Sequence, residues 1–375
     1  MTLVKARPEI IVRQHELDSH PLLLNVPGGY IDAKGMLREP DPGLLFTRCT
    51  GVRPDFSAKC PQWDAQVMLL ANGDRDIYEC LRSCIGYTST GTGWEQIFMF
   101  LHGRDGGEGK TAFLLILSWV LGTYATTIPN TAFMRRQIDN RFSTSQLDGF
   151  WMAYANEIDK GEEWAEARLK EATGGGKMTV EAKYKDAREM PLRFALWFSG
   201  NHLPRFRDPD GALRRRTIIF ECERSISETE QRRGYAEALF RDEGPAILAS
   251  ILEARKDYLR EGRLIIPPSA LANRDAYFDS EDKLLQFVNE RCVFGAELMV
   301  SKQRFYEAYR SWCKDGSQYP EGRNAVYEKL RTHKKLDQLG VKLDKKRTAE
   351  ADGKYIHVVS GLRLKAVHEL CDDET

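Results

Sequence analysis

The stretch FLHGRDGGEGKTAF, Phe100 to Phe113, joins two apolar runs through a glycine-rich turn. The first run, Ile97 to Gly103, has the length of a buried strand, and the second predicts a helix that ends at Gly122. Backbone amides in such a turn, and at the start of the helix behind it, are available to bind phosphate oxygens. The stretch therefore predicts a phosphate-binding loop between a strand and a helix.

The spacing of this loop departs from the usual pattern of Gly, four residues and Gly-Lys-Ser/Thr. Five residues separate Gly103 from Gly109, and Arg104 stands where the first glycine is expected. We expect Gly103 to end the strand and the Arg104-Asp105 region to absorb the extra residue. The alternative is a glycine turn that only starts a helix and carries a solvated lysine.

The residues predicted to bind nucleotide follow each other without a gap. Lys110 would reach the β- and γ-phosphates, and the Thr111 hydroxyl would ligate Mg²⁺. The predicted set is Gly106, Gly107, Glu108, Gly109, Lys110, Thr111 and Ala112.

Three further apolar runs of strand length alternate with predicted helices. They are residues 150–157, 192–201 and 215–221. Buried strands that alternate with helices predict an α/β fold with a mostly parallel sheet covered on both faces.

Two of these strands end in polar residues that suit ATP hydrolysis. Glu157 could polarise an attacking water and help to hold the metal, and Asn201 could sense the γ-phosphate or orient the water. Asn156 stands where many such ATPases have an aspartate, so Mg²⁺ would depend more on Thr111, the phosphates and water. Asp159 either lies beside the site or caps the following helix, and the cap is favoured.

Two basic segments could act outside the loop itself. Arg214, Arg215 and Arg216 stand directly before the last strand and either form a solvated rim or reach a neighbouring subunit's phosphate. The segment KMTVEAKYKD predicts a short hairpin that carries Lys177, Lys183 and Lys185. A solvated lysine-bearing loop is the alternative.

Composition excludes several classes of protein. The 375 residues carry no net charge at pH 7, so the chain as a whole does not attract nucleic acid electrostatically. No run is long and apolar enough to span a membrane, and the N-terminus lacks the apolar region of a secretory signal. The eight cysteines are scattered and predict buried thiols rather than a zinc site. We therefore expect an intracellular, cytoplasmic location.

The chain is expected to have three domains. Residues 1–92 predict a small α+β region, and residues 93–266 predict the nucleotide-binding core. A boundary near Pro267-Pro268 precedes three predicted helices and a hairpin, and this order in residues 267–375 predicts a winged-helix-like domain.

Several ordered segments resemble the superfamily 3 helicase domain of phage and plasmid primase-helicases, the group that includes the poxvirus primase-helicase. They are GGEGKTAFLLIL, ANEIDKG, LKEATGGGKMTVEAKYKD and LWFSGNHLPRFRDPDGALRRRTIIF, and the similarity runs from about Leu22 to Gly262. The C-terminal FYEAYRSWC is similar to the winged-helix tail of many members.

The resemblance implies an AAA+-type P-loop ATPase core and assigns roles to individual residues. Lys110 and Thr111 match the Walker A residues, Glu157 the Walker B acid and Asn201 the sensor asparagine. Arg215 is the best match for an arginine finger, with Arg216 close behind. The Lys177 to Lys185 segment matches the hairpin that tracks DNA inside a hexameric ring.

The implied function is an ATP- and Mg²⁺-dependent replicative DNA helicase of a phage, prophage or plasmid. The expected partners are single-stranded or forked DNA, other copies of the chain in a six-membered ring, and a separate primase or polymerase, with no membrane. Only about twenty residues precede the similar part, so no priming activity is expected.

The alternative is a DNA-binding replication initiator or loader scaffold whose nucleotide site controls assembly only. The feature that supports it is a set of basic residues near the C-terminus, which could equally be a protein-docking or solvated face. These residues are Lys329, Arg331, Lys334, Lys335, Lys345, Lys346 and Arg347.

Overall fold

The computed structural model describes most of the chain. The described residues are 12, 16–104, 106–135, 142–180, 188–206, 211–227, 232–316, 319–347 and 355–366. They form two compact units, residues 1–276 and 277–375. The three-domain division stays a prediction. No helix among the described residues is long and apolar enough to cross a membrane.

A small antiparallel sheet forms the described N-terminal part of the first unit. Its strands are β1 (Leu24–Val26), β2 (Gly29–Ile31) and β3 (Leu37–Arg38), in the order β1-β2-β3. Asp32 stabilises the β2–β3 turn by accepting the amides of Lys34 and Met36. The Pro-Gly-Gly, Ala-Lys-Gly and Asp-Pro turn signals between Pro21 and about Thr50 predict a small β-hairpin region. It is present, with a third strand.

Two helices follow, as the apolar spacing predicts. Helix α1 spans Pro61–Leu70 and helix α2 spans Arg75–Thr88. The Asp74 side chain caps α2 by accepting the amides of Asp76 and Ile77. Both helices pack into the core of the first unit.

A parallel five-stranded sheet forms the centre of this unit. Its order is β10-β4-β9-β6-β5, and every neighbouring pair is parallel. The strands are β4 (Phe98–Gly103), β5 (Ala125–Thr127), β6 (Met152–Ile158), β9 (Ala195–Gly200) and β10 (Thr217–Cys222). The expected parallel α/β sheet is confirmed. Because the strands are parallel, their carboxyl ends meet at one edge.

Helices connect and cover this sheet. They are α3 (Lys110–Leu121), α4 (Glu166–Ala172), α5 (Gly211–Arg216) and α6 (Tyr235–Glu261). Gly122 ends α3 with φ of 59°, as predicted. Asp159 does not cap α4, which begins seven residues later behind Ala165, so the cap prediction is wrong. Asp159 instead accepts a hydrogen bond from the Asn130 amide.

The segment EGPAILASILEARKDYLREG predicts a helix with Pro245 near its first turn. Helix α6 instead begins at Tyr235, so Pro245 lies inside it and the predicted start is wrong. The apolar face continues through Leu239 and Ala236, both buried in the core of the first unit. Proline removes one hydrogen bond within a helix, and burial of this face offsets that loss.

A hairpin of the antiparallel strands β7 (Lys177–Val180) and β8 (Arg188–Pro191) is present, and its second strand follows the predicted segment KMTVEAKYKD instead of lying within it. Lys183 and Lys185 lie outside the described residues. The Lys177 ammonium pairs with the Glu189 carboxylate on the opposite strand at 2.7 Å.

The second unit has its own apolar core. All three predicted helices occur in it, together with a further strand and a short helix that were not predicted. Helix α7 spans Pro268–Glu281, across the boundary between the units. The other elements are α8 (Lys283–Arg291), β11 (Cys292–Ser301), α9 (Lys302–Asp315), α10 (Arg323–Thr332), α11 (Lys334–Gln338), β12 (Lys342–Arg347) and β13 (Tyr355–Leu364). The three strands form an antiparallel sheet in the order β11-β13-β12.

Candidate functional site

The glycine loop leaves the sheet at the carboxyl end of β4, where Gly103 is the last strand residue. Gly106, Gly107 and Gly109 all have φ between 77° and 82°, a conformation that costs other residues about 1 kcal/mol or more. Helix α3 begins at the next residue, Lys110. Consecutive turns of this kind expose backbone amides toward one concave side, which suits an anion.

Two segments outside the loop hold its backbone. The buried Gln66 side chain of α1 donates to the Gly109 carbonyl at 3.2 Å. The Ile226 amide, behind β10, donates to the Gly107 carbonyl at 3.0 Å. A Cβ on Gly109 would clash with the Gln66 amide group. The loop is therefore fixed by contacts with residues far away in sequence.

Lys110 joins the loop to the neighbouring strand. Its ammonium donates to Asn201 Oδ1 at 3.0 Å, and Asn201 directly follows β9. Lys110 also forms a 2.6 Å ion pair with Glu108, and both residues are buried, with 7% and 2% of their surface exposed. Lys110 and Asn201, two predicted site residues that follow different strands, thus meet at the carboxyl edge of the sheet.

Glu157 lies at the same edge on β6, with β9 between it and β4. At about 4.8 Å per strand spacing, β6 is roughly 10 Å from β4, which leaves room for a phosphate and a water. Glu157 is exposed and has φ of 58° at a register shift between β6 and β9. Such a bulge redirects a side chain away from the regular strand alternation.

Asn156 is held within the sheet. Its Oδ1 atom accepts the hydroxyl of the buried Ser199 on β9 at 3.0 Å. The Asn156 side chain thus links the neighbouring strands β6 and β9. Thr111 is exposed, and Ala112 packs partly against the core.

Three residues near the loop carry no sequence signal for a function. The His102 ring and the Glu221 carboxylate, on the paired strands β4 and β10, lie 2.7 Å apart. The Cys222 thiol is buried beside Lys110 and Glu108, and burial raises its pKa to about 12, so it stays neutral.

The arginines lie at the opposite edge of the sheet. Helix α5 directly precedes β10, so Arg215 is separated from the loop by the length of a six-residue strand, roughly 20 Å. Arg215 is exposed. Arg216 is 8% exposed and donates to the carbonyls of Ala212 and Thr173. Neither arginine can reach the loop of its own chain.

No group of three or more His, Cys, Asp or Glu side chains could hold a metal ion in the part of the chain that the structure describes. Thr111 and Glu157 supply one hydroxyl and one carboxylate. This small donor set fits Mg²⁺ that arrives with a nucleotide, because Mg²⁺ commonly uses one or two protein oxygens together with phosphates.

The fold is similar to solved structures of the NrS-1 C-terminal region. Two apo forms each align with a TM-score of 0.56 and 12% identity, over 92% of this chain and 83% of theirs. A JCV helicase structure aligns over 60% of this chain and 61% of its own at 13% identity, with a TM-score of 0.29, too low to show a common fold. Comparison with curated proteins finds no match.

Family models match three successive parts of the chain. The N-terminal match, residues 1–67, is described as D5 N terminal like, and the C-terminal match, residues 279–360, as poxvirus D5 protein-like. These two matches support the resemblance to superfamily 3 primase-helicases, and the NrS-1 structures support the fold. The part of the chain that holds the glycine loop, residues 101–216, matches a family of unknown function (DUF5906). The roles of its individual site residues stay predictions.

Proposed function

We propose that this chain is an ATP-driven DNA helicase that works as a ring, six-membered by family resemblance, in replication of a phage, prophage or plasmid. The observation that carries the proposal is the meeting of Lys110 and Asn201 beside a loop of three left-handed glycines. ATP would lie in this loop, with Mg²⁺ between its phosphates, Thr111 and Glu157. Glu157 would then activate the attacking water.

The position of Arg215 supports a site shared between subunits. An arginine at the far edge of the sheet cannot contact a phosphate held by its own Lys110, but it can serve the loop of a neighbour in a head-to-tail ring. Arg215 is the better candidate because it is exposed, whereas Arg216 already donates to backbone carbonyls of its own chain.

A mixing experiment tests the shared site. Lys110→Ala and Arg215→Ala should each abolish ATP hydrolysis, whereas Arg215→Ala should still bind nucleotide. In an equal mixture, about a quarter of the interfaces of a head-to-tail ring would combine an intact Lys110 with an intact Arg215, so activity should return. An exposed arginine elsewhere, Arg233, provides the control substitution. A mixture as inactive as its components would refute the shared site.

DNA translocation would depend on the β7–β8 hairpin together with Lys183 and Lys185, which lie between its two strands in the sequence. The Lys177 ammonium is already paired with the Glu189 carboxylate, so Lys183 and Lys185 are the lysines that we propose for DNA contact. The Lys183→Ala/Lys185→Ala variant should lose strand displacement on forked DNA while its nucleotide affinity stays unchanged.

The C-terminal unit would be a winged-helix-like domain. The order of its helices and strands, α8-β11-α9-α10-α11-β12-β13, supports this assignment. Several of its basic residues are already paired, since Lys329 lies 2.9 Å from Glu321 and Lys335 contacts Asp279. These pairs weaken the case for the alternative, an initiator or loader scaffold with a broad basic face. Hydrolysis of ATP without any unwinding by the assembled protein would favour that alternative.

A further inference from the structure

The Glu108 carboxylate makes the contacts that an anion in the glycine loop would make. Its Oε1 atom accepts the Gly106 amide at 3.1 Å, and its Oε2 atom accepts the Lys110 ammonium at 2.6 Å. A backbone amide of the loop and the ammonium behind it are the donors that a phosphate group requires. An acid from the loop itself therefore satisfies these donors.

The burial of Glu108 is unusual for an acid in a surface loop. Only 2% of the residue is exposed, although its neighbour Gly107 is exposed. A carboxylate is rarely buried to this extent unless it is paired, because loss of hydration costs several kcal/mol per ion. The pair with Lys110 keeps the side chain folded inward.

The Glu108–Lys110 pair fills the space above the end of β4. A Cβ built on Gly103 would clash with both the Glu108 carboxylate and the Lys110 ammonium. The carboxylate and a phosphate cannot occupy this space together, and the two anions would repel each other at contact distance. Binding of a nucleotide by Lys110 therefore requires the Glu108 side chain to leave.

We propose that Glu108 is a built-in competitor of the nucleotide, whose carboxylate occupies the phosphate position until a polyphosphate displaces it. This inference rests on the proposed nucleotide site. The tethered anion keeps Lys110 neutralised and the loop ordered in the absence of ligand. Binding of a single phosphate group would replace the Glu108 carboxylate with another single anion. A di- or triphosphate brings more charge and makes further contacts.

The affinity of Mg²⁺-ADP for the 375-residue chain, measured by titration calorimetry, tests the competition. Glu108→Gln keeps the shape of the side chain and removes its charge, and Glu108→Ala removes the competitor entirely. Both variants should bind Mg²⁺-ADP at least tenfold more tightly than the parent, a difference of about 1.4 kcal/mol. Glu223→Gln removes the same charge from an exposed residue just behind β10 and should leave the affinity within twofold.

Thermal unfolding without ligand supplies a second readout, because removal of Glu108 leaves the buried Lys110 without its carboxylate. The melting temperature of Glu108→Ala should fall in the apo state, and its rise on addition of Mg²⁺-ADP should exceed that of the parent.

Three outcomes separate this inference from the proposed function. Tighter binding of Mg²⁺-ADP by both Glu108 variants than by the parent supports the competition. Equal or weaker binding by folded Glu108→Gln, while the parent binds, overturns the competition and leaves the proposed nucleotide site intact. Failure of the parent and of both variants to bind Mg²⁺-ADP overturns the proposed site and the inference together.

Discussion

The Lys110–Glu108 pair makes a prediction about stability that does not depend on nucleotide. Lys110→Met keeps the apolar stem of the side chain but removes the ammonium partner of the Glu108 side chain, which is 3% exposed and still accepts the Gly106 amide. Removal of one partner from a buried ion pair costs about 3–5 kcal/mol. This figure is an upper limit here, because the Glu108 side chain can rotate toward water and recover part of its hydration.

The companion variants have smaller expected costs. In Glu108→Gln, the side-chain oxygen can still accept the Gly106 amide, and Lys110 still donates to Asn201. The cost should therefore be about 1–3 kcal/mol, the range for an impaired buried hydrogen bond. In the double variant no charge is buried, so it should be more stable than Lys110→Met alone, with a coupling energy of about 0.5–3 kcal/mol between the two sites.

The assay is urea unfolding of the four proteins without nucleotide, with each free energy of unfolding taken by linear extrapolation. The exposed pair Lys177–Glu189 provides a matched control, and its Lys177→Met/Glu189→Gln cycle should show no measurable coupling. Strict additivity of the Lys110 and Glu108 substitutions would mean that the pair does not exist in solution. The same result would remove the basis of the competition proposed for Glu108.

Two further predictions concern the loop and the second unit. Gly106→Ala and Gly109→Ala both place a side chain at φ near 80°, but only at Gly109 does the new Cβ clash with Gln66. In urea unfolding, Gly106→Ala should lower the free energy of unfolding by about 1 kcal/mol, and Gly109→Ala should lower it by at least about 1 kcal/mol more. Equal losses would show that the Gln66 contact is unimportant. In the second unit, burial acts to raise the pKa of Asp282, but hydrogen bonds from the His333 ring and the Leu285 amide outweigh burial and hold the pKa below its ordinary value of 3.8. Because the folded-state pKa is lowered, this stabilisation is complete above pH 3.8 and is lost as pH falls through the folded-state value. The amides of α8 should therefore exchange faster in Asp282→Asn than in the parent near neutral pH, and the two rates should converge at low pH. The exposed control, Asp315→Asn, should match the parent throughout.

The strands that carry the site could be predicted because each is a long apolar run that ends in a polar residue. Strand β5, by contrast, has three residues, Ala125–Thr127, and none of them is fully buried, so it has no apolar pattern to detect. Strand β11 was missed for a related reason, since most of its residues are at least partly exposed. Sheet edges are set by pairing with neighbours, which local sequence does not encode.

Among the site residues too, some contacts follow from the local sequence pattern, whereas others depend on how distant elements pack. Lys110 and Asn201 could be expected to meet, because the carboxyl ends of parallel strands converge at one edge of the sheet. Gln66 could not be assigned to the loop, since its contact with Gly109 depends on how α1 packs against α3. Its spacing in the sequence is that of an ordinary helix residue. Glu108 was predicted only as one member of the cradle, and its inward, paired position follows from the shape of the closed loop.

Glu157 shows how an irregularity can carry more information than a regular pattern. The sequence predicts an acid at the end of β6, but a regular strand would continue its alternation through this residue. The structure instead inserts one extra residue between Ala155 and Ile158 and places Glu157 in the left-handed region, which costs a residue other than glycine about 1 kcal/mol or more. Glycine or asparagine would adopt this conformation more easily. A strained acid that is exposed at the edge where Lys110 and Asn201 meet is therefore better explained by a role for its carboxylate than by the needs of the fold.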